Sequence, residues 1–257
     1  MTDKEIFRRE QIIREVTPIG NGAHIFAPKE WVGEKVVLIR TLKLSLKKRI
    51  LEILEPHLED VLGVYLYGSY ARGEQRQDSD IDVLIISNKN FKLKEKGFEI
   101  VVLKKDKIRE AIKIAPLLLY SALMEARPLI NSELLENLRK NYKPKARNFK
   151  EYIRETKDII EINEELFSPY SIVLRLRGIY IIERLLAGKN YFYDGFKKWV
   201  FKGVKNITDK KVNFNDVYRA YLRIKNGFRA SARENDLRPL LLILKNKTQE
   251  LEKKING

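Results

Sequence analysis

The chain has 257 residues, 44% of them hydrophobic and 33% charged, with a formal net charge of +16. It has no cysteine and only two histidines, His24 and His57, which excludes disulfides, zinc–thiolate sites and cysteine nucleophiles and argues against a histidine-rich metal centre. No stretch approaches the roughly 20 uncharged apolar residues of a membrane span, and the charged start Met1-Thr2-Asp3-Lys4-Glu5 lacks the apolar core of a secretion signal, so a cytoplasmic protein that contacts no membrane is expected.

The length suits one large domain or two modest ones. The positive excess favours anionic partners, from nucleotides to RNA or DNA. A lysine-rich surface without a specific partner would give the same balance.

In chain order, residues 1 to 41 read as a small β-rich leader. Gly20-Asn21-Gly22 marks a turn between short strands. Pro28-Lys29-Glu30-Trp31 reads as a helical turn with proline first, and Lys35 to Arg40 as a further strand. Apolar residues between Leu42 and Leu54 recur at helical spacing. Leu62–Tyr67, Ile81–Ile86 and Phe98–Leu103 read as strands. Asp106–Ile114 and Pro116–Glu125 read as helices, Pro128-Leu129-Ile130 as an edge segment, and Ser132 as the cap of another helix. Lys143-Pro144 marks an expected boundary. Beyond it the pattern is helical throughout: Ala146–Leu166, Pro169–Ala187 stopped by Gly188, Tyr191–Phe201, Phe214–Lys225 and Leu237–Ile255. The expected domains are therefore 1–41, a catalytic domain over 42–140 and a helical domain over 141–257. The fold class is α+β, with a mixed β-sheet.

The segment that carries chemistry runs from Val64 to Ile86. An apolar strand ends in Gly68-Ser69, a polar link follows, and a second strand opens with Asp80-Ile81-Asp82. Residues i and i+2 of a strand share a face, so the two carboxylates project side by side. Adjacent carboxylates repel unless a cation lies between them, and oxygen ligands suit Mg²⁺.

Gly-Ser, a short gap and Asp-x-Asp in this strand context, with Ala71-Arg72-Gly73-Glu74 after the serine, resembles the nucleotidyltransferase superfamily of DNA polymerase β, kanamycin nucleotidyltransferase and the minimal nucleotidyltransferases. The resemblance covers roughly residues 45 to 130. It implies magnesium-dependent transfer of a nucleoside monophosphate, with AMP from ATP the expected case, to an acceptor hydroxyl on RNA, protein or a small molecule. It also implies a two-metal site on Asp80, Asp82 and a third carboxylate, for which Glu99 on the next strand is the best match and Asp106 the fallback. Gly68 would admit the triphosphate closely, Ser69 would donate to it, and Arg72 would neutralise the leaving pyrophosphate.

The helical segment resembles the second domain of kanamycin nucleotidyltransferase and its HEPN-like relatives. The Arg-x₄-His signature of HEPN ribonucleases is absent, since no histidine follows His57. Arg175, Arg177 and Arg184 recur along one helix and read either as a solvated face or as a substrate contact. Tyr191, Tyr193, Phe196 and Trp199 read as core. The leader resembles a small family of transposon-encoded proteins and the swapped-hairpin AbrB-type DNA-binding modules, although Ile25-Phe26-Ala27-Pro28-Lys29-Glu30 departs from the AbrB pattern. That likeness implies a homodimer held by the leader, against the other reading of the leader as an extra β-layer packed on the catalytic domain, and an alternative function as a nucleic-acid-binding regulator or antitoxin-type protein built on the same scaffold.

Overall fold

A computed structural model describes residues 14, 16–36, 42–76, 79–209 and 212–256, with side chains described from residue 46 onward in the first helix and to residue 255 in the last. The chain divides into two compact units, 1–46 and 47–257, and each is taken by itself.

In the first unit, β1 (Thr17–Ile19) and β2 (Gly22–His24) form an antiparallel hairpin in which Ile19 pairs with Gly22. Gly20 takes φ +54° in the two-residue turn, a conformation that glycine adopts without cost. The helical turn is a 3₁₀ turn over Lys29–Trp31, preceded by Pro28 rather than started by it. The strand expected over residues 35–40 falls largely on residues 37–40, outside the described residues, and Lys35 and Val36 are not in a strand.

Helix α1 (Leu42–Leu54) matches its periodicity and leads through a 3₁₀ stretch to the sheet. The sheet contains β3 (Val61–Tyr67), β4 (Ile81–Ser87), β5 (Phe98–Lys104) and β6 (Arg127–Ile130), in the order β5-β4-β3-β6. β3 is antiparallel to β4 and β6, while β4 and β5 are parallel, so the sheet is mixed as expected. Alternate residues Tyr65, Tyr67, Leu84 and Ile86 join the core shared with the helices. Val64, Leu66, Val83 and Ile85 point to the opposite face and are buried too. Burial on both faces is why β3 and β4 read as nearly continuous apolar runs.

Short α2 (Gly68–Arg72) follows β3 directly. After β5 come α3 (Ile108–Ile114), α4 (Pro116–Glu125) and, beyond β6, α5 (Ser132–Asn141). One expected cap is corrected here. The α5 cap is Asn131, one residue before Ser132: its φ of 61° lets the side-chain oxygen accept from Leu134 N–H at 2.9 Å. Asp106 does not cap α3; it pairs with Lys104 at 2.9 Å inside a 3₁₀ turn.

The remaining helices are α6 (Lys150–Leu166), α7 (Pro169–Leu186), α8 (Tyr193–Lys205), α9 (Phe214–Lys225) and α10 (Glu234–Asn256). The single helix expected over Ala146–Leu166 is a 3₁₀ turn at Ala146–Phe149 followed by α6. Lys143-Pro144 lies in the loop before that turn. One continuous apolar cluster runs from Tyr65 and Leu84 of the sheet through Ile172, Phe196 and Phe214 to Leu251, with α4 packed on α7. Sheet and helices therefore set each other's positions across the cleft described next.

Candidate active site

The site lies at the end of the sheet where β3 finishes and β4 and β5 begin. The ladders put Tyr67 beside Asp82 and Asp82 beside Glu99, forming a row across three strands. Asp80 lies two residues before Asp82, just ahead of β4. Gly68 has φ +69°, and a Cβ built on it would overlap Asp82 Oδ2. Only glycine lets the turn pass this close to the carboxylate.

Burial pushes the Asp82 carboxyl up to about 7, with Glu99 and Glu125 adding to the rise and Arg72 and Lys225 opposing it. Crowding of like charges is the expected behaviour of a site built for a cation. The donors are carboxylate oxygens, which suit magnesium. Among the described residues, however, no group of three or more histidines or carboxylates is gathered tightly enough to hold an ion as it stands. The donor chemistry and the strand register fit; the side chains of Asp80, Asp82 and Glu99 would have to converge. The buried Tyr67 hydroxyl has no hydrogen-bond partner, and burial, then Asp82, Glu99 and Glu125, push its pKa up.

The row opens into a cleft of about 1070 Å³ between the sheet end and the helices. Gly68, Ser69, Arg72, Asp80, Asp82 and Glu99 all line it, so the structure brings together every residue singled out from the motif. Arg72 is heavily engaged. Its Nε donates to Glu74 at 2.8 Å, its Nη1 donates to Glu125 at 2.6 Å, and its guanidinium lies 5.0 Å from the centre of the Tyr191 ring.

Across the cleft, Arg177 lies 4.9 Å from the centre of the same ring, with a buried Nε that has no hydrogen-bond partner. Burial works against its charge, but Tyr191, Tyr221 and Tyr218 more than offset that and leave its pKa raised. The other two arginines of that helix are committed elsewhere: Arg175 to Glu155, and Arg184 to the Asn190 carbonyl. Lys225 at the end of α9 also lines the cleft. Phe196 is core, as expected, whereas Tyr191 and Tyr193 also line the cleft.

Sequence reasoning missed Glu125, Tyr67 and Lys225. Glu125 carried a signal: it is the only charged residue in the apolar helix Pro116–Glu125. Buried carboxylates need partners, and it has two.

Comparison with known proteins gives the family. A model described as "Nucleotidyltransferase domain" matches residues 47–186, more than half of the chain. A protein of Methanocaldococcus jannaschii described as a "putative protein adenylyltransferase" is 39% identical over 72 residues, covering 28% of this chain and 70% of the relative. Residues 9–40 match a family described as "putative transposon-encoded protein". Among solved structures, a spectinomycin adenyltransferase of Enterococcus faecialis with ATP and spectinomycin is 13% identical, covering 83% of this chain and all of that one, with a TM-score of 0.46. A toxin–antitoxin structure with AMP-PNP is 14% identical, covering 47% and 97%, with a TM-score of 0.28. The chain belongs to the nucleotidyltransferase domain family and is a nucleotidyltransferase enzyme.

Proposed function

We propose that the enzyme transfers AMP from ATP, with magnesium, to a hydroxyl on a protein acceptor. The observation that carries this reading is the row Tyr67–Asp82–Glu99 beside the Gly68 turn, facing Arg177, whose buried Nε has no hydrogen-bond partner, across one cleft. A carboxylate row on one wall and a buried cation on the other suit a metal-bound polyphosphate between them. At about 1070 Å³, the cleft lies at the upper end of ligand sites, with room for a nucleotide and part of an acceptor. The protein acceptor is suggested by the description of the 39%-identical relative.

In this reading Asp80, Asp82 and Glu99 hold the magnesium ions, which would supply charge neutralisation at the reacting phosphate. The Gly68 turn lets the triphosphate lie against the sheet end, and the Ser69 hydroxyl donates to it. Arg177 and Lys225 face the β- and γ-phosphates, while Arg72 holds the turn. The acceptor oxygen attacks the α-phosphorus in line; its bond to phosphorus forms as the bond to the bridging oxygen breaks, pyrophosphate leaves with that electron pair, and the hydroxyl proton passes to water in the open cleft. Rate comes mainly from positioning and charge neutralisation.

The test is transfer from each labelled NTP, with magnesium, to total protein, total RNA and a small-molecule extract. A labelled protein band from ATP alone is expected. Label in RNA would replace the acceptor, and no pyrophosphate release from any NTP would defeat the reading. A second reading, a nucleic-acid-binding regulator, is favoured by the net charge of +16 and the match of residues 9–40. It requires DNA binding with a steep salt slope and no stabilisation by ATP.

A further inference from the structure

Glu125 ends α4 with its side chain 5% exposed. Its Oε1 accepts from the Gly68 N–H at 2.9 Å, and its Oε2 accepts from Arg72 Nη1 at 2.6 Å. Arg72 passes the link on through Nε to Glu74, whose other oxygen accepts from the Tyr193 N–H at 2.8 Å. Tyr193 is the first residue of α8. Five groups thus form one unbroken strap from α4, through the turn beside Asp82, to the start of a helix on the opposite wall.

The strap lies largely out of water: the Arg72 side chain is 9% exposed and Glu74 24%. Two carboxylates share one guanidinium, and the remaining negative charge is met by two backbone N–H groups, each of the first residue of a helix. Breaking one link strips a largely buried charged group of one of its two partners, which favours one well-defined geometry. It also has one consequence for substrate. The Gly68 N–H is taken by Glu125, and that bond sets the orientation of the turn that a triphosphate would lie against.

We propose that Glu125 is a positioning residue for the nucleotide: by holding Gly68 and Arg72 together it aims the phosphate-facing turn and, through Glu74, fixes it to the helical wall before substrate arrives. The proposal rests on the reading of the cleft as a nucleotide site. A plain ion pair would stabilise the fold without setting nucleotide affinity.

The experiment measures Mg–ATP binding by calorimetry, kinetic constants and melting temperature for wild type, Glu125→Gln, Glu74→Gln and the double variant. Glu125→Gln keeps the size and an acceptor oxygen but sets a neutral amide against Arg72. The Kd and KM for ATP should rise about tenfold or more in Glu125→Gln, since small misplacements of positioning groups cost up to about 10². Glu74→Gln should raise them several-fold, and the double variant should be little worse than Glu125→Gln, because the two act through one arginine. A lower melting temperature with unchanged Kd and KM in the folded protein would make the strap merely structural and overturn the proposal. If Glu125→Gln does not fold, Glu74→Gln decides: an unchanged KM overturns it. Wild-type protein that binds ATP but transfers nothing would sink the functional reading while leaving this proposal to the Kd values. Wild-type protein that binds no nucleotide overturns both.

Discussion

Asp82 is the residue on which chemistry and stability pull in opposite directions. Its carboxyl is raised from an ordinary Asp value to about 7 in the folded chain. The folded state therefore binds more protons than the unfolded state between about pH 4 and pH 7, and stability falls as pH rises through that window. Asp82→Asn removes the charge. Without divalent metal, it should stabilise the protein at pH 8 by about 1–2 kcal/mol, discounted for partial exposure, and by little at pH 4. Urea unfolding in chelator at both pH values measures this. The same variant should lose about 10³-fold or more in pyrophosphate release; an undiminished rate would defeat the assignment of Asp82. Gly68→Ala should cost about 1–2 kcal/mol for its left-handed backbone alone and also displace Asp82, so activity should fall further than melting temperature suggests. A thermal melt beside a turnover assay would show the gap.

At the scale of elements, the join between β6 and α5 shows how a single residue sets a helix start. Asn131 caps α5 and also donates from Nδ2 to the Leu62 carbonyl at 2.9 Å, tying the cap to β3. Asn131→Ala should cost about 2 kcal/mol, from the lost cap and a backbone at φ 61° that alanine resists. Asn131→Gly should cost less, because it loses the cap but keeps the backbone. Denaturant titration of the two variants separates the contributions; equal losses would mean that the backbone conformation carries no strain. Gly178 is a second such point: a Cβ there would overlap the Tyr152 hydroxyl, so Gly178→Ala should loosen α6 against α7 and cost about 1–3 kcal/mol.

For the whole molecule, the leader raises the question of assembly. Ile19, Phe26 and Val32 of the first unit are 61%, 72% and 83% exposed. A segment of that size seldom buries a self-sufficient core, and two-fold pairing is the commonest closed arrangement. We expect a homodimer that depends on residues 1–41. Light scattering of the full chain and of a chain starting at Leu42 should give a dimer and a monomer; a monomeric full chain, or a truncated dimer, would refute it.

The sequence by itself determined the local chemistry of this protein. The two-residue period predicts one face for Asp80 and Asp82, the glycine after β3 permits the tight turn, the 3.6-residue period yields α1, and α4 and α9 too have the bounds expected from sequence. Each of these depends on neighbours a few residues apart, and so it is legible along the chain. Caps were less legible, because Asn131 and Ser132 are both ordinary cap residues, and the bond from Asn131 to the Leu62 carbonyl on β3 that accompanies its cap is not written in the local sequence. Only the tertiary structure decided which distant groups meet. Glu125 reaches Gly68 across 57 residues, and Glu74 reaches Tyr193 across 119. It also singled out Arg177 from the three arginines of α7 as the one that lines the cleft, because packing of α7 against α4 and α9 fixes which side of the helix faces the sheet end. Sequence spacing records the period of a helix, not its rotation about its axis; the shared core supplies that.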